Sequence, residues 1–146
     1  HALCVSAAQP DTVFLAVRMG LFKSTDAGSS WKDVQVGRFS PLTYARDVRV
    51  SSHDPKTLFA CLSPAAASQD GSLYRSSDFG DTWQRLDRGV KARATMMAVA
   101  QDPREPNAIS CVSRCGQVFS TADGGATWGE TLLPDGVKDV YALAMG

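Results

Sequence analysis

Apolar residues along this chain fall in short unbroken runs. Thr57-Leu58-Phe59-Ala60-Cys61-Leu62 and Thr95-Met96-Met97-Ala98-Val99-Ala100 are the clearest. Runs of this length, bounded by Pro, Asp and Gly, suit strands buried on both faces, because a buried helix needs more length. Trp31-Lys32-Asp33-Val34-Gln35-Val36 alternates instead. Alternation with period two marks a strand with one face in solvent.

These patterns recur. The only three tryptophans, Trp31, Trp83 and Trp128, each close a similar segment. The segments are Gly20-Leu21-Phe22-Lys23-Ser24-Thr25-Asp26-Ala27-Gly28-Ser29-Ser30-Trp31, Ser72-Leu73-Tyr74-Arg75-Ser76-Ser77-Asp78-Phe79-Gly80-Asp81-Thr82-Trp83 and Gln117-Val118-Phe119-Ser120-Thr121-Ala122-Asp123-Gly124-Gly125-Ala126-Thr127-Trp128. Upstream, Pro10-Asp11-Thr12-Val13-Phe14 matches Pro55-Lys56-Thr57-Leu58-Phe59, and Asn107-Ala108-Ile109 supplies the third copy. A Pro/Ala/Ser-rich stretch from Ser63 to Asp70 lengthens one connection of the second copy. Three buried strands and one outer strand, repeated roughly every 45–50 residues, predict an all-β chain built of four-stranded antiparallel β-propeller blades. The predicted units are 3–45, 46–93 and 94–138, with 139–146 as the first strand of a further blade.

The Ser/Thr-x-Asp-x-Gly-x-Ser/Thr-Trp spacing suits a corner between the third and fourth strands. A carboxylate there accepts from backbone N–H groups just beyond it. Gly28, Gly80 and Gly125 fit positions with positive φ. The indole is expected to fold under the turn, burying ~150–250 Å². At ~25 cal/mol/Å² that is at most about 4–6 kcal/mol. Metal ligation or acid catalysis by Asp26, Asp78 and Asp123 would need one constellation, whereas a fold needs the same corner in every unit.

At these residues the chain resembles the Asp-box, or BNR, repeats of sialidase-type propellers. Related repeats occur in xyloglucan-degrading glycosidases, sortilin-like receptors and a photosystem II assembly factor. The resemblance implies structural roles for Ser24, Asp26, Gly28, Trp31, Ser76, Asp78, Gly80, Trp83, Thr121, Asp123, Gly125 and Trp128. It also implies that the box lies at the blade periphery, away from the ligand-binding mouth. Thr121 replaces the usual first Ser, and Ser30 stands where Thr is usual, so every hydroxyl is kept. The resemblance is specific for fold and weak for function.

Three blades are fewer than the 4–8 that close a ring. The chain opens at His1 without Met and stops inside an apparent strand. The expectation is a piece of a larger propeller, or closure by association, for which a homodimer would give six blades.

Hydrophobic residues at 44% exclude a disordered tail. Fifteen basic residues balance fifteen acidic ones, so no global pull toward nucleic acid or membrane is expected. No apolar run approaches a membrane span. A soluble protein is expected, with secreted and periplasmic settings both considered.

Neutrality hides a predicted polarity between the two ends of the blades. One loop face is expected to carry Arg18, Arg38, Arg46, Arg88, Lys91, Arg93, Arg114 and Lys138. Of these, Arg18, Arg46, Arg93 and Arg114 are the candidate ligand-binding residues, since guanidinium forks suit anionic or protein partners. A carbohydrate partner follows from the same resemblance.

Catalysis is not expected of this chain. A glycosidase needs paired carboxylates, or a tyrosine activated by one. Glu105 and Glu130 are the only glutamates, and nothing pairs any two of the mouth candidates Asp47, Asp70, Asp135 and Asp139. The alternative is a part of a glycoside hydrolase, sialidase-like or xyloglucanase-like. No cofactor and no metal are predicted, because His1 and His53 make no zinc spacing with the cysteines. Cys61 and Cys111 are read as sharing the repeat position of Ala16. Cys111 and Cys115 are read as free thiols rather than a bridge.

Overall fold

The computed structural model describes residues 1–146. It is all-β, with three four-stranded antiparallel sheets, each following chain order from its first strand to its fourth. Blade 1 holds β1 (Ala2–Ser6), β2 (Gln9–Val17), β3 (Gly20–Ser24) and β4 (Lys32–Asp33). Blade 2 holds β5 (Tyr44–Val50), β6 (Leu58–Ser63), β7 (Ser72–Ser76) and β8 (Gln84–Arg85). Blade 3 holds β9 (Met96–Gln101), β10 (Ile109–Ser113), β11 (Gln117–Thr121) and β12 (Gly129–Leu132). Three sheets of this order are three blades of a β-propeller.

β6 is buried at all six positions, as its unbroken apolar run requires. Its two faces serve two different layers. Leu58, Ala60 and Leu62 meet Phe14, Ala16 and Leu21 of blade 1. Phe59 and Cys61 meet Val99, Ile109, Cys111 and Phe119 of blade 3. The middle blade is therefore apolar on both sides, because it has a neighbour on both sides.

Three sequence expectations need correction. The alternating segment from Trp31 to Val36 forms only a two-residue strand, and a 3-10 turn at Val36–Arg38 then leads inward to cover the blade 1–2 core. The segment 139–146 forms no strand, since no second strand pairs with it. It is tied at points, among them Arg114 Nε donating to Asp139 Oδ1 at 2.7 Å, Val140 N–H donating to Arg114 O at 3.2 Å and Arg104 Nη2 donating to Gly146 O at 3.3 Å.

The third correction concerns Cys111. The ladders put Cys61 opposite Leu73, Ala16 opposite Leu21 and Val112 opposite Val118. Val112 therefore shares the position of Cys61. Cys111 is one place out of register and points to the opposite face. Because successive side chains alternate, both thiols enter the same layer, one from each blade. All four cysteines are free thiols. Burial pushes the Cys61 and Cys111 thiols far up in pKa, so both stay protonated.

The aspartate corners are built alike. Ser24 Oγ donates to Asp26 Oδ1 at 2.7 Å and accepts from Gly28 N–H at 2.8 Å. Ser30 donates to the same carboxylate through N–H at 2.8 Å and through its hydroxyl at 2.5 Å. Asp78 receives Ser76 at 2.8 Å and Thr82 at 2.9 and 2.6 Å. Asp123 receives Thr121 at 2.7 Å and Thr127 at 2.9 and 2.6 Å. One further bond ties each corner to its blade's first hairpin. Ala27, Phe79 and Gly124 N–H donate to Asp11, Lys56 and Asn107 O at 2.9, 3.0 and 3.0 Å. Those three donors also have positive φ, at 54°, 57° and 70°. The sequence reading assigned that geometry only to the glycines after them.

Each later corner docks on the blade before it. A Cβ at Gly80 would lie 2.7 Å from Phe14 Cε1, and one at Gly125 would lie 2.5 Å from Leu86 Cδ1. Lys23 of blade 1 reaches Phe79 O at 2.8 Å and Asp81 at 3.0 Å. Trp83 is 6% exposed, with Phe39 of blade 1 stacked on it. Trp128 donates to Leu86 O of blade 2 at 3.4 Å. Trp31 has no earlier blade and is 39% exposed. The indole thus seals the joint between blades more than its own turn.

Two predictions follow from these corners. Trp83→Ala should cost about 3–5 kcal/mol, whereas Trp31→Ala should cost less than about 1.5 kcal/mol, both read from urea unfolding. Hydroxyl and N–H donation from Ser30 holds Asp26 down at about 2, and Thr127 does the same for Asp123. A folded pKa below the unfolded one gives stability that is complete above about pH 4 and lost as pH falls to about 2. The urea midpoint should fall across that window, and Asp26→Asn should make the fall shallower.

Candidate functional site

The strand order sends the first hairpins and the aspartate corners to one end of the blades. The opposite end collects the second-to-third-strand loops and the connections between blades. There a cleft of about 710 Å³ opens across blades 2 and 3. Ala67, Ser68 and Gln69 form one wall. Arg93 and Arg114 come from two further loops, and the stretch Leu132–Asp139 closes the other side.

The 63–70 insertion is fixed as that wall by Thr95, which is fully buried. Thr95 Oγ1 donates to Ala65 O at 3.0 Å and accepts from Ser68 N–H at 3.1 Å. Gln117, also buried, clamps the Arg93 loop from behind. Its Oε1 accepts from Arg93 N–H at 2.7 Å, and its Nε2 donates to Lys91 O at 3.3 Å and to Glu130 Oε1 at 2.9 Å. A glutamine standing where the other two repeats have Gly20 and Ser72 was the signal in the sequence for this clamp.

Arg114 Nε lies 2.7 Å from Asp139 Oδ1, its Nη1 reaches Ala66 O at 3.4 Å, and its guanidinium sits 5.9 Å from the Tyr141 ring centre. Arg93 is 3.8 Å from Glu130 and remains exposed. Lys138, Asp135 and Cys115 complete the polar lining. Arg93 and Arg114 therefore share one cleft. Arg18 is exposed in the β2–β3 turn of blade 1, and Arg46 is half-buried at the β5 bulge between Ala45 and Asp47. Neither lines the cleft. Arg88 and Lys91 line a second hollow of about 520 Å³ with Arg85 and Asp70.

The candidate carboxylates also separate. Asp47 is buried, accepting from Arg49 Nε at 3.0 Å and from Val99 N–H at 3.2 Å, so it stitches blade 2 to blade 3 and faces no mouth. Asp70 accepts from its neighbour Gly71 N–H at 2.7 Å. Asp135 and Asp139 reach the same cleft, with Asp139 engaged by Arg114. Asp87 is fully buried, with Oδ1 3.0 Å from Arg85 Nε and Oδ2 unpartnered. Burial raises its pKa to about 6 against the pull of Arg85. No group of three His, Cys, Asp or Glu side chains gathers to hold a metal ion. No helix is long and apolar enough to cross a membrane.

No family model matches the chain, and no curated protein matches it. Solved structures do. A GH74 enzyme from Niastella koreensis is 20% identical with a TM-score of 0.71, over 89% of this chain and 22% of its own. The GH74 xyloglucanase from Xanthomonas campestris is 18% identical with a TM-score of 0.69, over 89% of this chain and 21% of its own. YCF48 from Cyanidioschyzon merolae is 19% identical with a TM-score of 0.65, over 88% of this chain and 38% of its own. A structure of YCF48 bound to a D1 peptide matches with a TM-score of 0.64 at 13% identity. The chain thus spans well under half the length of each of these β-propeller proteins. Identities this low speak for fold alone, and the fold they share with this chain is that of β-propeller blades.

Proposed function

We propose that this chain is a non-catalytic binding segment of a propeller that presents its basic cleft to an anionic stretch of a protein partner. The observation that carries this reading is the convergence of Arg93, Arg114 and Lys138 on one cleft with a preformed wall. Paired guanidinium forks suit carboxylates. The carboxylates nearest to them are engaged by arginine or by Gln117. None is left as a free pair at the spacing that glycoside hydrolysis needs. The peptide-bound YCF48 structure supports a protein partner for blades of this shape. The GH74 likenesses favour the competing reading, part of a glycoside hydrolase, for which Asp135 is the one cleft carboxylate outside any ion pair.

We also propose that the open side of blade 1 is covered by another blade. Leu3 on β1 is 58% exposed, Val5 on β1 is 44% exposed and the undocked Trp31 is 39% exposed. Exposed apolar surface of this kind marks an interface. The cover would be supplied by a second copy of the chain or by further blades.

An acidic peptide, ten glutamates long, is expected to bind with an affinity that falls as salt rises. Arg93→Glu with Arg114→Glu should weaken it at least about tenfold. Unchanged binding in the double variant, or release of reducing sugar from xyloglucan by the wild-type chain, would count against the binding reading. Light scattering should give twice the 15.6 kDa of one chain if a second copy provides the cover. A monodisperse single-chain mass would remove the dimer.

A further inference from the structure

Asp-Gly occurs three times in this chain, at Asp70-Gly71, Asp123-Gly124 and Asp135-Gly136. The pair carries a chemistry of its own. The backbone nitrogen after an aspartate can attack the side-chain Cγ, and glycine opposes this least because it has no Cβ and turns freely. The carboxyl must be protonated for its hydroxyl to leave as water. The peptide must also be free to rotate toward Cγ. The fold decides which of the three pairs meets both conditions.

Two of the pairs are held. Gly71 is buried, and a Cβ there would lie 2.5 Å from Met96 N, so its peptide is wedged against blade 3. Its N–H is also spent on Asp70 Oδ1 at 2.7 Å. Asp123 is locked in its corner, where both oxygens accept from Thr127 and one accepts from Thr121. Those donors, Thr127 foremost, hold its pKa down at about 2, so its protonated form is scarce at neutral pH. The attacking nitrogen is engaged too, since Gly124 N–H donates to Asn107 O at 3.0 Å.

The third pair is not held. Every residue from Leu132 to Asp139 is exposed. The Asp135 carboxylate enters no ion pair and no hydrogen bond. Gly136 N–H has no acceptor, and nothing lies within 4 Å of the place a Cβ would take. One surface bond, from Val137 N–H to Pro134 O at 3.1 Å, closes the turn. We propose that Asp135-Gly136 is a self-modification site, where aspartate converts to isoaspartate on the wall of the cleft. Gly136 N bonds to Asp135 Cγ, its proton and the carboxyl hydroxyl leave as water, and a succinimide ring forms. Water then adds at the main-chain carbonyl carbon of Asp135 and breaks that carbon's bond to nitrogen. The backbone now runs through Cβ and Cγ, one methylene longer, with a carboxylate left on Cα. Water is the only co-reactant, and the charge is kept. The extra methylene breaks the Pro134–Val137 turn and so reshapes the stretch that closes one side of the cleft. The new Cα carboxylate is the group that an isoaspartyl O-methyltransferase esterifies. This inference is independent of what the cleft binds.

The test incubates the folded chain at neutral pH and physiological temperature and then digests it. Isoaspartate is located by methyl transfer from S-adenosylmethionine with an isoaspartyl O-methyltransferase, and by fragment masses. It should accumulate at position 135 at least about tenfold faster than at 70 or 123, because those two react only through local opening. In denaturing urea the protecting contacts are gone, and the three rates should converge. Asp135→Glu, which would need a larger ring, should lose the signal at that position. Asp135→Asn should reach the same succinimide by losing ammonia, and its mass should rise as the amide NH is exchanged for oxygen. Isoaspartate at 70 or 123 forming as fast as at 135 in the folded chain would overturn the proposal. So would its absence at 135, or a ranking that persists unchanged in urea.

Discussion

Everything in this chain depends on how a carboxylate-locked corner meets the blade before it. The carboxylate is satisfied inside the corner by two hydroxyls and an N–H, so it needs nothing from its surroundings. Two successive residues with positive φ then turn the backbone tightly enough to push a glycine against the neighbouring sheet. The approach leaves no room for a Cβ. A side chain at Gly80 or Gly125 would clash with Phe14 or Leu86 and strain the backbone at once. The corner is a local solution to hydrogen bonding that becomes the contact between blades.

That contact sets the apolar layers. Blade 2 packs on both faces and carries the most deeply buried strand, while blade 1 keeps one side open. Polar stitches reinforce the layers at points where a bare apolar joint could slide. Ser6 Oγ donates to Pro55 O at 2.6 Å, Asp47 accepts from Val99 N–H, and Met96 N–H donates to Ser63 Oγ at 2.9 Å. Each buried stitch is costly if one partner is lost, so each favours a single register between blades.

The end of the blades opposite the aspartate corners inherits its shape from those joints. The cleft exists because an insertion in blade 2 is anchored by Thr95 of blade 3, and because Gln117 holds the connection carrying Arg93. Function in this chain is read from differences between repeats, since what the repeats share belongs to the fold.

The sequence alone determined the inner strands, the three blades and the aspartate corners. These depend on local spacing, and a turn that must be closed by its own side chains writes itself into consecutive residues. The 63–70 insertion was legible in the same way, although its service as a cleft wall was not. Tertiary structure alone decided that Asp47 is a stitch and that Arg93 and Arg114 meet while Arg18 and Arg46 do not. It also decided that Cys111 faces Cys61 from across a joint and that Trp31 and Trp83 have different surroundings. Such facts depend on which blade stands next to which, and the pattern within one repeat is identical whether a neighbour is present or not.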